Sequence, residues 1–191
     1  MNKLTIDTAE ALALQLRSKL GLGTHEPINA KTLIRQLDYM LHYRPLSESL
    51  LGMSLKSPDS LYKFILINSN TTRGRQHFTI AHEIYHLEFE EDIYPHYNRT
   101  DREVNVSERN ADMFACALLM PRQGIISKIP ASELASKNIS IETCLTLGQL
   151  YGVSHSTLVF RLKELKLITQ ENEQKLMQIK VKQEAYYRGF D

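Results

Sequence analysis

The segment Thr79-Ile80-Ala81-His82-Glu83-Ile84-Tyr85-His86-Leu87 sets two histidines four residues apart inside a helical run of apolar positions. On a helix, side chains at i and i+4 stand on one face in successive turns, so the two imidazoles can share a single cation. Glu83 lies three before His86, at the edge of that face, where a carboxylate reaches a water held by the cation without ligating the cation itself. The spacing thus assigns two ligands, His82 and His86, and one general base, Glu83. A zinc ion lowers the pKa of a bound water toward about 7, and a carboxylate alongside accepts the proton as the water attacks a carbonyl. That chemistry is amide hydrolysis. An amphipathic helix whose histidines only hydrogen-bond locally fits the same five residues, so a third ligand is needed.

A catalytic zinc takes three protein ligands and leaves a fourth position to water. The stretch Asn105-Val106-Ser107-Glu108-Arg109-Asn110-Ala111-Asp112 repeats the spacing with two carboxylates, Glu108 and Asp112, again four apart. On a downstream helix both can face His82 and His86. Glu108 would complete a two-histidine, one-carboxylate set, and Asp112 could accept the second ring N–H of a ligand histidine and fix its tautomer. The bland alternative is a solvated helix face with Arg109 as charge partner. Zinc is expected from the ligand types, although manganese or another divalent first-row ion suits the same set. His25, His42, His77, His96 and His155 read as ordinary polar residues. For a donor to the developing oxyanion, Tyr85, Tyr94, Tyr97, Tyr151 and His155 are candidates among which the sequence does not choose.

The elements that must hold these residues follow from periodicity. Leu12, Leu16 and Leu20 mark a helix over 8–20 capped by Asp7 or Thr8, and a second helix follows Pro27 with Asn29 as its cap and Leu33, Ile34, Leu37 and Met40 on its buried face. Three short strand-like runs, 41–44, 51–56 and 62–68, are punctuated by Gly52, Pro58 and Asp59. Their short connections predict a small antiparallel sheet. If 62–67 is a sheet edge beside the cleft, an extended substrate can pair with it. Helices are expected over 77–88 and 107–120, separated by a charged, Pro95-containing loop, with further helices from residue 132 onward and a polar helical tail over 169–191.

The 191 residues are 42% hydrophobic, enough for a real core, and 23 Lys and Arg nearly balance 22 Asp and Glu. Bulk charge therefore shows no nucleic-acid footprint and no attraction to an acidic membrane. The N-terminus lacks a secretory apolar run, and no stretch reaches membrane-span length, so the chain is expected in the cytoplasm. Cys116 and Cys144 sit in apolar helical surroundings and read as small buried hydrophobes, not a bridge.

The run from Arg75 to Leu87, together with Glu108 to Pro121, resembles the ImmA/IrrE family of metallopeptidases, and Gly52-Met53-Ser54-Leu55 and Ile65-Leu66-Ile67-Asn68 are similar to the strands that precede its motif. The resemblance spans about residues 30 to 168. It implies an α+β fold: a minimal thermolysin-like zincin core with a small antiparallel sheet packed on helices. It implies His82, His86 and Glu108 as ligands, Glu83 as base, and Asp112 at a position the family fills with aspartate or asparagine. It also implies cleavage of a helix-turn-helix repressor, derepressing phage, mobile-element or stress genes. Residues 147–162 read as helix-turn-helix, with glycine at the turn, a buried valine and a serine cap. The expected organisation is a peptidase core over 1–125, a helix-turn-helix-like lobe over 126–168 and a tail over 169–191. Against this stands a DNA- or protein-binding regulator with a structural metal site, its lobe over 141–168 carrying a thin basic face of Arg161, Lys163 and Lys166.

Overall fold

The computed structural model describes residues 2–59, 61–91, 95–100 and 105–190. Two helices, α1 (Ile6–Lys19) and α2 (Ala30–Gln36), precede strands β1 (Met40–Arg44), β2 (Leu50–Lys56) and β3 (Lys63–Asn68). Then come α3 (Arg73–Phe89), β4 (His96–Arg99) and α4 (Val106–Leu119). The chain continues through α5 (Arg122–Ile126), α6 (Ala131–Ser136), α7 (Ile141–Tyr151), α8 (His155–Glu164), α9 (Gln170–Gln178) and α10 (Val181–Tyr187). The fold is α+β. No helix among the described residues is long and apolar enough to cross a membrane.

The helix starts follow side-chain chemistry. Asn29, Thr72, Asn105 and Ser154 each accept a backbone N–H of their own first turn, and α1 is capped by Thr5 instead of the expected Asp7 or Thr8. Met40, expected on the buried face of α2, instead opens β1 and is half exposed.

The sheet order is β1-β3-β2-β4, with β2 antiparallel to both neighbours and β1 parallel to β3. The parallel pair corrects the all-antiparallel expectation. Residues 45–49 pass over the end of the sheet, so β2 descends on the far side and β3 returns between the two; β2 with its turns is itself the crossover that parallel pairing requires. Asn68 holds that loop. Its Oδ1 accepts from Leu46 N at 3.1 Å and its Nδ2 donates to Ser47 O at 2.9 Å and Leu50 O at 2.8 Å. β3 is therefore central and, contrary to the expectation for 62–67, offers no free edge to an extended substrate. The edge next to β2 belongs to β4, which lies inside the region expected to be loop.

One face of the sheet is buried, with Ile65, Ile67, Gly52, Ser54 and Lys56 pointing inward at period two. Against it lies α3, and behind α3 lies α4, whose Ala111, Ala115 and Ala117 and whose Phe114 and Leu118 are buried all round. Small residues there, with Ala9 and Ala13 of α1, let the three helices approach closely. Gly52 sets the helix–sheet distance: a Cβ on it would stand 2.7 Å from Thr79 Cγ2 and 2.8 Å from the backbone oxygen of Leu66. Gly52→Ala is expected to lower stability by about 1–3 kcal/mol, read as a fall in the urea midpoint at unchanged slope. An unchanged midpoint would show that α3 is free to move away from β2.

Cys116 and Cys144 are buried and unbridged. The α7–α8 pair has Gly152 at φ +62°, a buried Val153 and the Ser154 cap, and its turn rests directly on α3. His77 of α3 contacts Gly152 O through Nδ1 at 3.1 Å and accepts Ala30 N–H at Nε2 at 3.0 Å, which fixes the neutral tautomer with its proton on Nδ1. The expected basic face is thinner than its residue types suggest. Arg161 is fully buried, bonding Met120 O through Nε at 3.2 Å and pairing with Glu10 and Glu164, while Lys163 pairs with Glu173 at 2.8 Å. The tail breaks at Ile179 into α9 and α10, and α9 joins the lobe through buried Leu176 and Asn172, whose Oδ1 accepts Ile139 N–H at 2.9 Å.

Candidate functional site

Four residues of α3 occupy 6 Å of axis while two residues of β2 cover about 6.6 Å, so the two elements stay in step along their contact. Gly52 meets Thr79, and Ser54 meets Glu83 one turn later. Ser54 Oγ donates to Glu83 Oε2 at 2.6 Å, while Glu83 Oε1 is buried without a hydrogen-bond partner. Burial pushes the Glu83 carboxyl above its usual range, more than the nearby His82 and the Ser54 hydroxyl pull it down. The result is a carboxylate with one oxygen fixed and the other available to a proton.

His82 and His86 are buried, and their Nε2 atoms face each other at 3.1 Å. Glu108, in the first turn of α4, brings Oε2 to 3.4 Å from His82 Nε2 and Oε1 to 3.8 Å from His86 Nε2. Asp112, one turn on, accepts the His82 Nδ1–H at 2.8 Å. Glu90 does the same for His86, its Oε2 at 2.8 Å from Nδ1. With both Nδ1 protons given to carboxylates, two Nε2 lone pairs and a carboxylate oxygen converge on one point. Such a set could hold a cation. The separations bracket the edge of about 3.4 Å expected for a tetrahedron with metal bonds of about 2.1 Å. Burial opposes charge on His82, yet the carboxylates of Asp112, Glu108 and Glu83 push its pKa up to about 9, and the same negative field favours a divalent ion.

The structure thus brings together all five residues singled out in sequence, His82, Glu83, His86, Glu108 and Asp112. It adds three that sequence reading missed. Glu90 was legible, since it extends the i,i+4 stripe from His86 by one more turn. Its Oε1 accepts from Ser107 Oγ at 2.5 Å and its backbone oxygen from Lys56 Nζ, so it is held from three elements. Ser54 carried no signal beyond its place on an inward-facing strand position.

His96 of β4, an ordinary polar residue by sequence, pairs across from Ser54, and its ring stacks on His86 at 4.1 Å with planes 12° apart. His96 Nε2 also lies 3.2 Å from Glu90 Oε2. His86, Glu90 and His96 are close enough to suggest a second cation. Their geometry disfavours it, because an imidazole binds a metal in its ring plane and two stacked parallel planes share no such point. His96 buttresses the His86 ring.

Of the oxyanion candidates, Tyr85 and Tyr151 are buried in the core, the latter with its hydroxyl on His25 O at 3.4 Å. His155 bonds Leu176 O through Nε2 at 3.0 Å, and Tyr97 points to the face of β4 opposite His96. Tyr94 lies outside the described residues. Outer partners of metal ligands are worth about 10–100-fold in affinity. Glu90→Ala is expected to weaken metal binding by that factor in a chelator competition, and unchanged affinity would leave Glu90 a structural buttress alone.

The sequence model of the Peptidase_M78 family, described as the IrrE N-terminal-like domain, matches residues 34–163. No curated protein matches the chain in sequence. A solved structure described as a Mycobacterium tuberculosis transcriptional regulator is similar in fold, with a TM-score of 0.54 at 17% identity over 83% of this chain and 47% of that one. The chain spans about half the length of that protein.

Proposed function

The chain belongs to the Peptidase_M78 family of IrrE N-terminal-like domains, and from that premise we propose that it is a cytoplasmic metallo-endopeptidase which cleaves a particular helix-turn-helix repressor and so derepresses phage, mobile-element or stress-response genes. The observation that supports catalysis most directly is Glu83, a buried carboxylate beside the His82–His86–Glu108 set with one oxygen on Ser54 and the other without a partner. Burying an ionised carboxylate that is only half hydrogen-bonded is costly, and such perturbed groups gather at functional sites.

A divalent ion, zinc by ligand type with manganese as alternative, supplies Lewis acidity toward the scissile carbonyl. Every other duty falls to the chain. His82, His86 and Glu108 would hold the ion, Asp112 and Glu90 keep both imidazoles in the Nδ1–H tautomer, and Glu83 takes the proton from the attacking water and passes it to the leaving amine. Three ligands leave a coordination position for chemistry, whereas a structural zinc site is closed by four.

A regulator that binds DNA through α8 is the competing reading. The burial of Arg161 and the pairing of Lys163 with Glu173 weigh against it, because two of the three residues of the expected basic face, Lys166 being the third, are engaged within the chain and not directed to phosphates. The test is incubation of metal-loaded protein with the helix-turn-helix repressor encoded beside it, with products mapped by mass spectrometry. One or a few defined cuts are expected. An intact repressor alongside salt-sensitive, sequence-specific DNA binding by the chain would replace this reading with the regulator.

A further inference from the structure

One face of the sheet is filled by α3, and the opposite face is apolar as well. Alternation sends Ile65, Ile67 and Ser54 inward, so their neighbours point outward, and the ladder sets those neighbours in rows. Leu55, Phe64 and Met40 form one row across β2, β3 and β1. Tyr97, Met53, Leu66 and His42 form the next, across all four strands. Tyr62, two before Phe64, extends the same face, its carbonyl accepting Ser57 N–H at 2.9 Å. Tyr62 is 65% exposed, Tyr97 52%, Met40 46% and Leu55 36%, and no outward side chain joins the hydrophobic core. Among the described residues, the helices packed on the sheet lie on its inward side: α3 against Ser54, and α2 through Lys31 over the ring of Tyr43, which pairs with inward Ile67. The outward face leaves on the order of 500 Å² of apolar surface uncovered, near the upper limit for the largest patch of a monomer.

Width selects what can cover it. Four strands at about 4.8 Å spacing make a face roughly 19 Å wide, close to twice the diameter of a helix. A second sheet matches that width, packed at about 10 Å. Charge points to the sheet of another copy of this chain. None of the outward strand residues is acidic. The exposed Arg44 stands at one end of the face, with Glu48 farther out in the loop beyond it, while two exposed acids, Asp38 before β1 and Asp59 between β2 and β3, stand at the other end. A two-fold axis running across the strands lays each end over the partner's opposite end. Arg44 then approaches the acids while apolar rows meet apolar rows. Covering both faces with their polar rims buries about 1,200 Å² in total, the lower bound of a standard interface. We propose that the outward face of the sheet is the interface of a homodimer, two copies stacked sheet on sheet with their strands antiparallel. Since α3 lies behind each sheet, the two metal sets face away from one another, and Tyr97 is covered on the strand that carries His96. The inference does not draw on the peptidase reading.

Sedimentation velocity of the full chain between about 1 and 100 µM, the weak end of the range such interfaces span, should show a dimer whose share grows with concentration. Leu55→Arg with Tyr62→Arg, both at exposed positions, should raise the dissociation constant by about a hundredfold or more, the weight of interface anchors, with circular dichroism unchanged. Arg44→Asp should weaken association, and Asp38→Arg with Asp59→Arg in that same chain should restore it, a reciprocity that unspecific stickiness does not produce. A chain that stays monomeric across this range, or a dimer that the folded Leu55→Arg, Tyr62→Arg variant retains, overturns the proposal. Should that variant misfold, the charge pair decides, and association indifferent to Arg44→Asp overturns it equally. A monomeric wild type whose cleavage of the repressor falls in the Leu55→Arg, Tyr62→Arg variant also overturns it, and gives the face to the substrate instead.

Discussion

Glu108→Ala should lose stoichiometric metal binding while remaining folded. Glu108 stands in the first turn of α4, and the burial that holds α4 in place comes from Ala111, Phe114, Ala115 and Leu118 farther along. Removing the carboxylate leaves two neutral imidazoles to hold a divalent ion, a set with no charge to offset the ion's own. The loss should exceed the factor of about 10–100 expected for an outer partner such as Glu90. His86→Ala should behave likewise.

Protons compete for the same position. With the His82 pKa pushed up to about 9, the ion must displace a proton at any lower pH, so wild-type affinity should fall about tenfold per unit below that value. Elemental analysis after dialysis and titration calorimetry across pH 6 to 9 read both effects. Full metal content in both the Glu108→Ala and His86→Ala proteins would remove the ligand assignment.

The parts of this site that sequence reading reached share a physical property: they are set by helix geometry, which is local. His82, Glu83 and His86 lie within two turns, and Glu108 and Asp112 within another, so i,i+4 spacing alone puts them on common faces. What it could not reach is set by partners far along the chain. β4 is four residues of mostly polar sequence, His96–Arg99, with no apolar alternation, and it is a strand because β2 offers it a ladder. The parallel β1–β3 pair depends on a loop passing over the sheet end and on Asn68 to satisfy its backbone. Arg161 looks like a recognition-helix cation by position, yet it is interior because Glu10, 151 residues away, and the Met120 carbonyl, 41 away, meet its guanidinium. Residue type and period predict a face; only the packed fold decides which faces meet.

Glu83→Gln should keep the metal, keep or raise stability, and reduce cleavage by about 10²–10⁴, the usual weight of a general base. The three parts have separate causes. Glutamine is isosteric, so Ser54 Oγ still has an acceptor to donate to at the Oε2 position. His82, His86 and Glu108 are untouched, so metal content by elemental analysis should equal that of the wild type. Burial holds the Glu83 carboxyl above its ordinary range, which means the folded chain bears a cost for its ionised form. A neutral amide removes that cost, and the melting temperature should not fall. Activity behaves oppositely, because an amide accepts no proton from the attacking water at any working pH. Wild-type kcat should rise with pH as the Glu83 carboxyl deprotonates, from a midpoint above that of an ordinary glutamate, and the variant should lack that rise. A Glu83→Gln protein that retains its metal and cuts the repressor at the wild-type rate would place the base elsewhere and strip the unpartnered Oε1 of the role assigned to it.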